Sequence, residues 1–161
     1  MKIKEQDAGW QSGMDKNITF IVTKDCQLAC KYCYLVGKNT KERMPWEIAK
    51  QAVDYILERE DEFREESVVW DFIGGEPFLE IDLIDRICDY IKMEMFRRNH
   101  HWFNSYRFSF STNGINYHEE KVQNFIKKNK EHLSIGITID GTEMKHDLNR
   151  VYKITNRGSY K

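Results

Sequence analysis

Three cysteines stand within eight residues, in Cys26-Gln27-Leu28-Ala29-Cys30-Lys31-Tyr32-Cys33. A C-x3-C-x2-C array this tight does not suit a disulfide framework, whose cysteines are usually spread along the chain. Crowded thiols point instead to metal or redox chemistry. Thiolates bind iron strongly, and a [4Fe–4S] cluster ordinarily takes four cysteine ligands. Three local thiolates would hold three irons and leave the fourth open to an outside ligand. The competing reading is a zinc site. A structural zinc needs four protein ligands, and the fourth would have to be Cys88 or a distant histidine, because no second cysteine pair exists. Cysteines without any metal are the third possibility. Cys88 itself lies in Ile84-Asp85-Arg86-Ile87-Cys88-Asp89-Tyr90-Ile91, where a small buried hydrophobe is expected.

The elements that must position the triplet alternate between two kinds. Short β-rich runs cover Ile18–Thr23, Val68–Ile73, Tyr106–Ser111 and Ser134–Ile139. The first two are almost continuously apolar, as in strands of a parallel sheet covered on both faces. Between them lie helical patterns. Pro45 suits a first helical turn, and Ile48, Ala52, Val53, Ile56 and Leu57 follow at helical spacing. Ile81, Ile84, Ile87, Ile91 and Met95 form a second stripe, and Val122, Phe125 and Ile126 a third. The order β-α-β-α-β-α-β predicts an α/β fold with parallel strands and crossover helices. The cysteines then fall just past the first strand, at the carboxyl end, where such folds place their active sites.

Two further motifs occupy equivalent places. Gly74-Gly75-Glu76-Pro77 follows the second strand and Ser111-Thr112-Asn113-Gly114 the third; Gly136-Ile137-Thr138-Ile139-Asp140-Gly141 and His146-Asp147-Leu148-Asn149-Arg150 come later. Glycines allow close backbone approach to a ligand. With the cysteine array and the aromatic Tyr32 before its last cysteine, this set resembles the radical S-adenosylmethionine (SAM) superfamily, in particular the branch of anaerobic sulfatase maturases and SPASM-type peptide maturases. The resemblance runs from about Asn17 to Tyr160 and covers the first four β/α units of the family's partial (β/α)6 barrel. It implies residues 1–16 as an N-terminal extension and 17–161 as the truncated radical SAM core.

What the resemblance implies about function is specific. Cys26, Cys30 and Cys33 would hold a [4Fe–4S] cluster. SAM would chelate the open iron and be cleaved reductively to a 5′-deoxyadenosyl radical that abstracts hydrogen from a peptide or protein substrate. Tyr32, Gly74, Gly75, Glu76, Pro77, Ser111, Asn113, Thr138 and Arg150 would line the cofactor site. Of these, Thr138 would lie near the ribose or carboxylate, and Arg150 would bind the methionyl carboxylate, which a guanidinium can do bidentately. An electron donor such as flavodoxin or ferredoxin is implied as a partner. A ribosomal peptide maturase forming a thioether or carbon–carbon crosslink is the first expectation and a formylglycine-forming sulfatase maturase the second. An iron–sulfur electron carrier or scaffold stands as the reading of another class.

Composition narrows the partners. The net charge is −1, with 25 basic and 26 acidic residues, which gives no general drive toward nucleic acid or a membrane surface. No apolar run reaches the ~18 residues of a spanning helix, and the N-terminus lacks the apolar stretch of a signal peptide, so a cytoplasmic protein is expected. The acidic cluster Glu58–Glu66 and the basic run Lys127–Lys130 read as solvated surface. His100-His101 could ligate a metal, but follows a helix C-terminus, where cationic side chains are favoured anyway. After the fourth strand a polar loop, Gly141–Lys161, is expected. It leaves that strand as an apolar edge, an association hazard that suggests a piece of a longer protein or a chain completed by a partner.

Overall fold

A computed structural model describes residues 15–35 and 40–160. Four strands, β1 (Asp15–Thr23), β2 (Ser67–Gly74), β3 (Tyr106–Thr112) and β4 (Leu133–Ile137), form one sheet in the order β1-β2-β3-β4, with every pairing parallel. The helices α1 (Trp46–Leu57), α2 (Ile81–Arg97) and α3 (Glu120–Asn129) connect them. This is the α/β architecture expected. Of the expected N-terminal extension, residues 1–14 lie outside the described residues, and 15 and 16 belong to β1.

Alternation along the strands decides which face is covered. Phe20 and Val22, then Val68, Trp70 and Phe72, then Tyr106, Phe108 and Phe110 all point to one face and are buried. The register sets Phe20 opposite Phe72 and Phe72 opposite Phe110. Their rings stack at 5.5 and 5.1 Å between centroids, a cross-strand ladder through the middle of the core. Against it lie Ala49, Val53 and Leu57 of α1, Ile84, Ile87, Cys88, Ile91 and Met95 of α2, and Val122 and Phe125 of α3. The opposite face is open: Asn17, Thr19 and Ile21 of β1 are exposed, while Val69, Asp71 and Ile73 of β2 are half-buried. The apolar runs therefore do not mark two covered faces in the described chain. Their alternate residues Ile21, Val69 and Ile73 line the open side.

Within the helices, the stripe read for α2 is buried as expected. In α1 the buried stripe is Ala49, Val53 and Leu57, and Ile48 is exposed, because the helix turns its small Ala49 to the sheet. α2 ends on Asn99 at φ 50°. The amides of Asn99 and His100 donate to the carbonyls of Phe96 and Met95 at 3.1 and 2.9 Å, a Schellman ending that closes the last turn and starts the approach to β3.

The region after β4 differs from the expected polar loop. A short helix, α4 (Glu143–Asn149), forms there, and the chain then crosses back to the first strand's loop. No helix among the described residues is long and apolar enough to cross a membrane.

Candidate functional site

The cysteines sit in a loop that leaves β1, and three neighbours fix its path. Along one side runs the turn after β2. Gly75 N–H donates to Thr23 O at 2.9 Å and Glu76 N–H to Asp25 O at 2.8 Å. A Cβ on Gly74 would strike the Thr23 carbonyl, and one on Gly75 would overlap the backbone of Lys24 and Asp25. The glycine pair is thus required by close packing against the chain that leads into Cys26. Along β1's other edge Met44 N–H donates to Val22 O at 2.8 Å and Lys24 N–H to Glu42 O at 3.0 Å.

The third neighbour is the segment after α4. Leu28 bridges Tyr152 in antiparallel fashion. Ala29 N–H donates to Val151 O at 2.8 Å, Lys31 N–H to Asn149 O at 2.9 Å, and Lys153 N–H to Gln27 O at 2.9 Å. Lys153 also pairs with the Asp25 carboxylate, whose Oδ1 accepts Cys26 N–H at 2.9 Å. That hydrogen bond from Lys153 outweighs burial and holds the Asp25 carboxyl below the ordinary range. The cysteine loop therefore lies between the turn after β2 and a strand-like segment from beyond β4.

Glu76 joins the second and third strand ends. It is buried, and its Oε1 accepts from Thr112 Oγ1 at 2.6 Å and Phe78 N–H at 3.1 Å, while Oε2 accepts Asn113 N–H at 2.8 Å. Burial raises its pKa, and the hydrogen bonds from Asn113, Thr112 and Phe78 work against that rise. Pro77 opens the 3-10 turn Pro77–Glu80 that Glu76 caps, with Pro77 and Phe78 buried. Asn113 turns its amide toward Cys26 Sγ at 3.7 Å and Gln27 Oε1 at 3.2 Å. Cys26 is buried and its Sγ also accepts Leu28 N–H at 3.3 Å. Burial pushes its thiol pKa up against that bond, so a metal bound here would have to displace a tightly held proton. Cys30 and Cys33 are half-buried.

Arg150 enters from the returning segment. It is buried, and Nη1 donates to Tyr32 Oη at 2.9 Å. Tyr32 Oη in turn donates to the Asp140 carboxylate, with Oδ2 at 2.7 Å. Burial opposes the charge on Arg150, but its pKa is raised, by the Tyr32 bond and by the nearby Cys30. Its Nε is buried with no partner among the described residues. Thr138 and Asn113 line one cleft of about 550 Å³, and a second of about 340 Å³ opens beside Cys26, between Leu79 and Tyr152–Thr155. Both fall in the range that takes small ligands.

The fold thus gathers Cys26, Cys30, Cys33, Tyr32, Gly74–Pro77, Asn113, Thr138 and Arg150 around the carboxyl ends of the strands. Ser111 is exposed on the open face and makes no hydrogen bond in this network. Its neighbour Thr112, with the inward parity of Phe108 and Phe110, takes the buried place. That parity was the available signal for Thr112. Asp25, Asp140 and Lys153 had none, because their partners lie far away in sequence.

The residues suit a cluster and SAM. Cys88, the only other cysteine, is sealed in the α2 face at 0% exposure and cannot complete a four-thiolate zinc site. Among the described residues, the only three His, Cys, Asp or Glu side chains with ligand atoms all within 4.8 Å are Glu60, His100 and His101. Cys26, Cys30 and Cys33 do not form such a group. The unpartnered Nε of Arg150 offers a buried donor to a carboxylate.

The Glu60–His100–His101 group, at the amino ends of β2 and β3, is a hydrogen-bonded joint. His101 places Nδ1 3.1 Å from Glu60 Oε2 and Nε2 3.1 Å from Glu65 O. His100 Nδ1 accepts Trp102 N–H at 3.2 Å, so its neutral ring carries the proton on Nε2. The lone pair of His100 Nδ1 is taken up by the Trp102 amide, and its Nε2 is buried without a partner among the described residues.

Comparison with known proteins agrees with this geometry. Residues 20–161 match the family described as the Radical SAM superfamily. An uncharacterized protein of Methanocaldococcus jannaschii is 36% identical over 141 residues, 86% of this chain and 43% of that protein. An uncharacterized protein of Synechocystis is 30% identical over 142 residues, 86% of this chain and 33% of that protein. The chain thus spans less than half the length of these relatives. Among solved structures, native anSMEcpe with bound AdoMet superposes with a TM-score of 0.69 at 23% identity, over 90% of this chain and 37% of that one. The same protein with AdoMet and the Cp18Cys peptide gives 0.65 at 23% identity, over 89% and 36%.

Proposed function

The chain belongs to the radical SAM superfamily, and we propose that it forms the cluster- and SAM-binding part of an enzyme that modifies a peptide or protein. In this reading Cys26, Cys30 and Cys33 would hold three irons of a [4Fe–4S] cluster, leaving the fourth open to SAM. When bound, the pair supplies one-electron cleavage of SAM to a 5′-deoxyadenosyl radical that removes hydrogen from a substrate carbon. The chain's own residues bind and orient. Arg150 takes the methionyl carboxylate, the backbone of the Gly74–Gly75 turn meets the amino group, and Asn113 and Thr138 face the ribose across their shared cleft. Tyr32 covers the cluster loop, and Glu76 and Pro77 hold the turn in shape.

One observation carries the reading. Arg150 is a buried cation with an unpartnered Nε, and it lies within electrostatic reach of Cys30. A guanidinium held beside a metal-binding thiol suits a ligand that brings a carboxylate to the metal. An iron–sulfur carrier has no use for it. The peptide substrate is supported by the fold match to a structure that holds AdoMet together with a peptide. Crosslinking of a ribosomal peptide is the first reading, formylglycine formation the second.

Anaerobic reconstitution of the chain tests the core of this. About four irons per chain, an EPR signal that changes on adding SAM, and 5′-deoxyadenosine formed with a reductant are expected, all lost in Cys30→Ala. Zinc uptake without iron overturns the proposal, and a cluster that ignores SAM favours the carrier. For the substrate, mass spectrometry of peptides treated with the longer protein separates the two chemistries. Crosslinking removes two hydrogens, and formylglycine formation from cysteine removes the sulfur.

A further inference from the structure

We propose that His146 is a positioning residue for SAM binding, holding Arg150 and the Asp140–Tyr32 pair in place over the cysteine loop; this rests on the role given to Arg150 above. His146 is the only buried residue of α4, with 4% of its surface exposed, so the short helix is anchored through a polar ring. Its neighbours Met144 and Leu148, which could have anchored it by apolar packing, are exposed instead.

The ring's hydrogen bonds define one protonation pattern. Nδ1 accepts the Asp140 amide N–H at 3.3 Å, so it carries a lone pair. Nε2 lies 3.0 Å from Ser159 Oγ. The Ser159 hydroxyl donates to Arg150 O at 2.9 Å, so its oxygen accepts from His146 and Nε2 carries the proton. A neutral ring protonated on Nε2 satisfies every contact. His146 also accepts Arg150 N–H on its own carbonyl at 2.8 Å, and Ser159 N–H donates to Arg150 O at 3.2 Å.

The two ends of this bridge are the two supports of Tyr32. One ring nitrogen fixes the backbone of Asp140, whose carboxylate accepts the phenol. The other, through Ser159, fixes the backbone of Arg150, whose guanidinium donates to the same phenol. Tyr32 adjoins Cys33. His146 thus ties the end of β4 and the returning segment into one frame around the buried guanidinium. Its hydrogen bonds run to Asp140, Ser159, Thr142 and Arg150 and to no cysteine among the described residues, so its loss should spare the cluster and impair SAM binding.

The test uses the full chain reconstituted with its cluster. His146→Leu is expected to load iron as the wild type does and to bind SAM at least about tenfold more weakly, read by titration calorimetry and by the SAM-induced EPR change. His146→Asn, which can still accept from Asp140 N–H, should recover part of that affinity. Unchanged SAM affinity in His146→Leu with normal wild-type binding overturns the role of His146 alone. Wild-type protein that loads iron but ignores SAM overturns the function and this role together. Should His146→Leu not fold, ring 15N shifts of the wild type decide. The Nε2–H tautomer supports the frame, and an Nδ1–H ring overturns it.

Discussion

The helix-covered face of the sheet and the cap over its carboxyl ends are built by different forces. The covered face is apolar. Trp70, Phe72 and Phe108 are at 0% exposure, with Phe72 against Phe108 and Trp70 against Phe20 across neighbouring strands. The cap is polar and held by direction. Glu76, Thr112, Asn113, Asp25, Lys153 and Arg150 link three strand ends and the returning segment through hydrogen bonds. Dispersion and burial are non-directional and scale with area, which suits a platform. Hydrogen bonds fix atoms relative to one another, which suits a loop that carries three sulfurs beside a buried cation. Stability should therefore reside in the face and function in the cap.

Mutations that separate these two quantities can break or sharpen this contrast. The largest effect is expected at the face. Phe72→Ala removes the middle ring of the Phe20–Phe72–Phe110 ladder and should cost about 3–5 kcal/mol, read by urea unfolding; a small loss would mean that the ladder is not the platform. Next comes Gly75→Ala. Its Cβ would lie 2.6 Å from Asp25 C and 2.8 Å from Lys24 O. It should cost about 1–3 kcal/mol and displace Cys26, so iron per chain should fall even in protein that remains folded.

Glu76→Gln follows, because an amide NH2 would face the Asn113 N–H that now meets a carboxylate oxygen. A lost buried hydrogen bond costs about 1–3 kcal/mol. This site also carries a pH signature. Burial holds the folded-state pKa of Glu76 above the ordinary range, so the folded chain keeps this proton more tightly than the unfolded one. The wild type should gain stability from it at acid pH and lose that gain as pH rises from the ordinary glutamate range through the raised value. The glutamine variant should lack this slope in unfolding midpoints. The smallest effect is expected at Lys128→Ala, which removes an exposed contact to Asp85 and Asp89. A change below about 1 kcal/mol, with iron loading intact, is the control that belongs to neither region.

Much of the platform was legible in the sequence. The α2 stripe, the order of strands and helices, and the placing of the cysteines and the two following motifs at successive strand ends all rest on local periodicity, which a few turns or strand residues display directly. Cys88 was legible for the same reason. Ile48 was misplaced because several apolar neighbours left the rotation of α1 undetermined, and tertiary packing chose Ala49. The Gly74–Gly75 pair was legible as a place of close approach, but what approaches in the structure is the backbone of residues 23–25.

Sequence by itself therefore determined the parallel α/β platform, the spacing of the three thiols, and the strand ends at which chemistry could gather. Tertiary structure alone decided that residues 149–153 return to pair with the cysteine loop, that Glu76 binds Thr112 and Asn113, and that Arg150 reaches Tyr32 across 118 residues. The physical reason is range. Periodicity and turn chemistry act over a few residues, whereas a hydrogen bond between distant polar side chains leaves no pattern in either segment until the sheet brings its strand ends together.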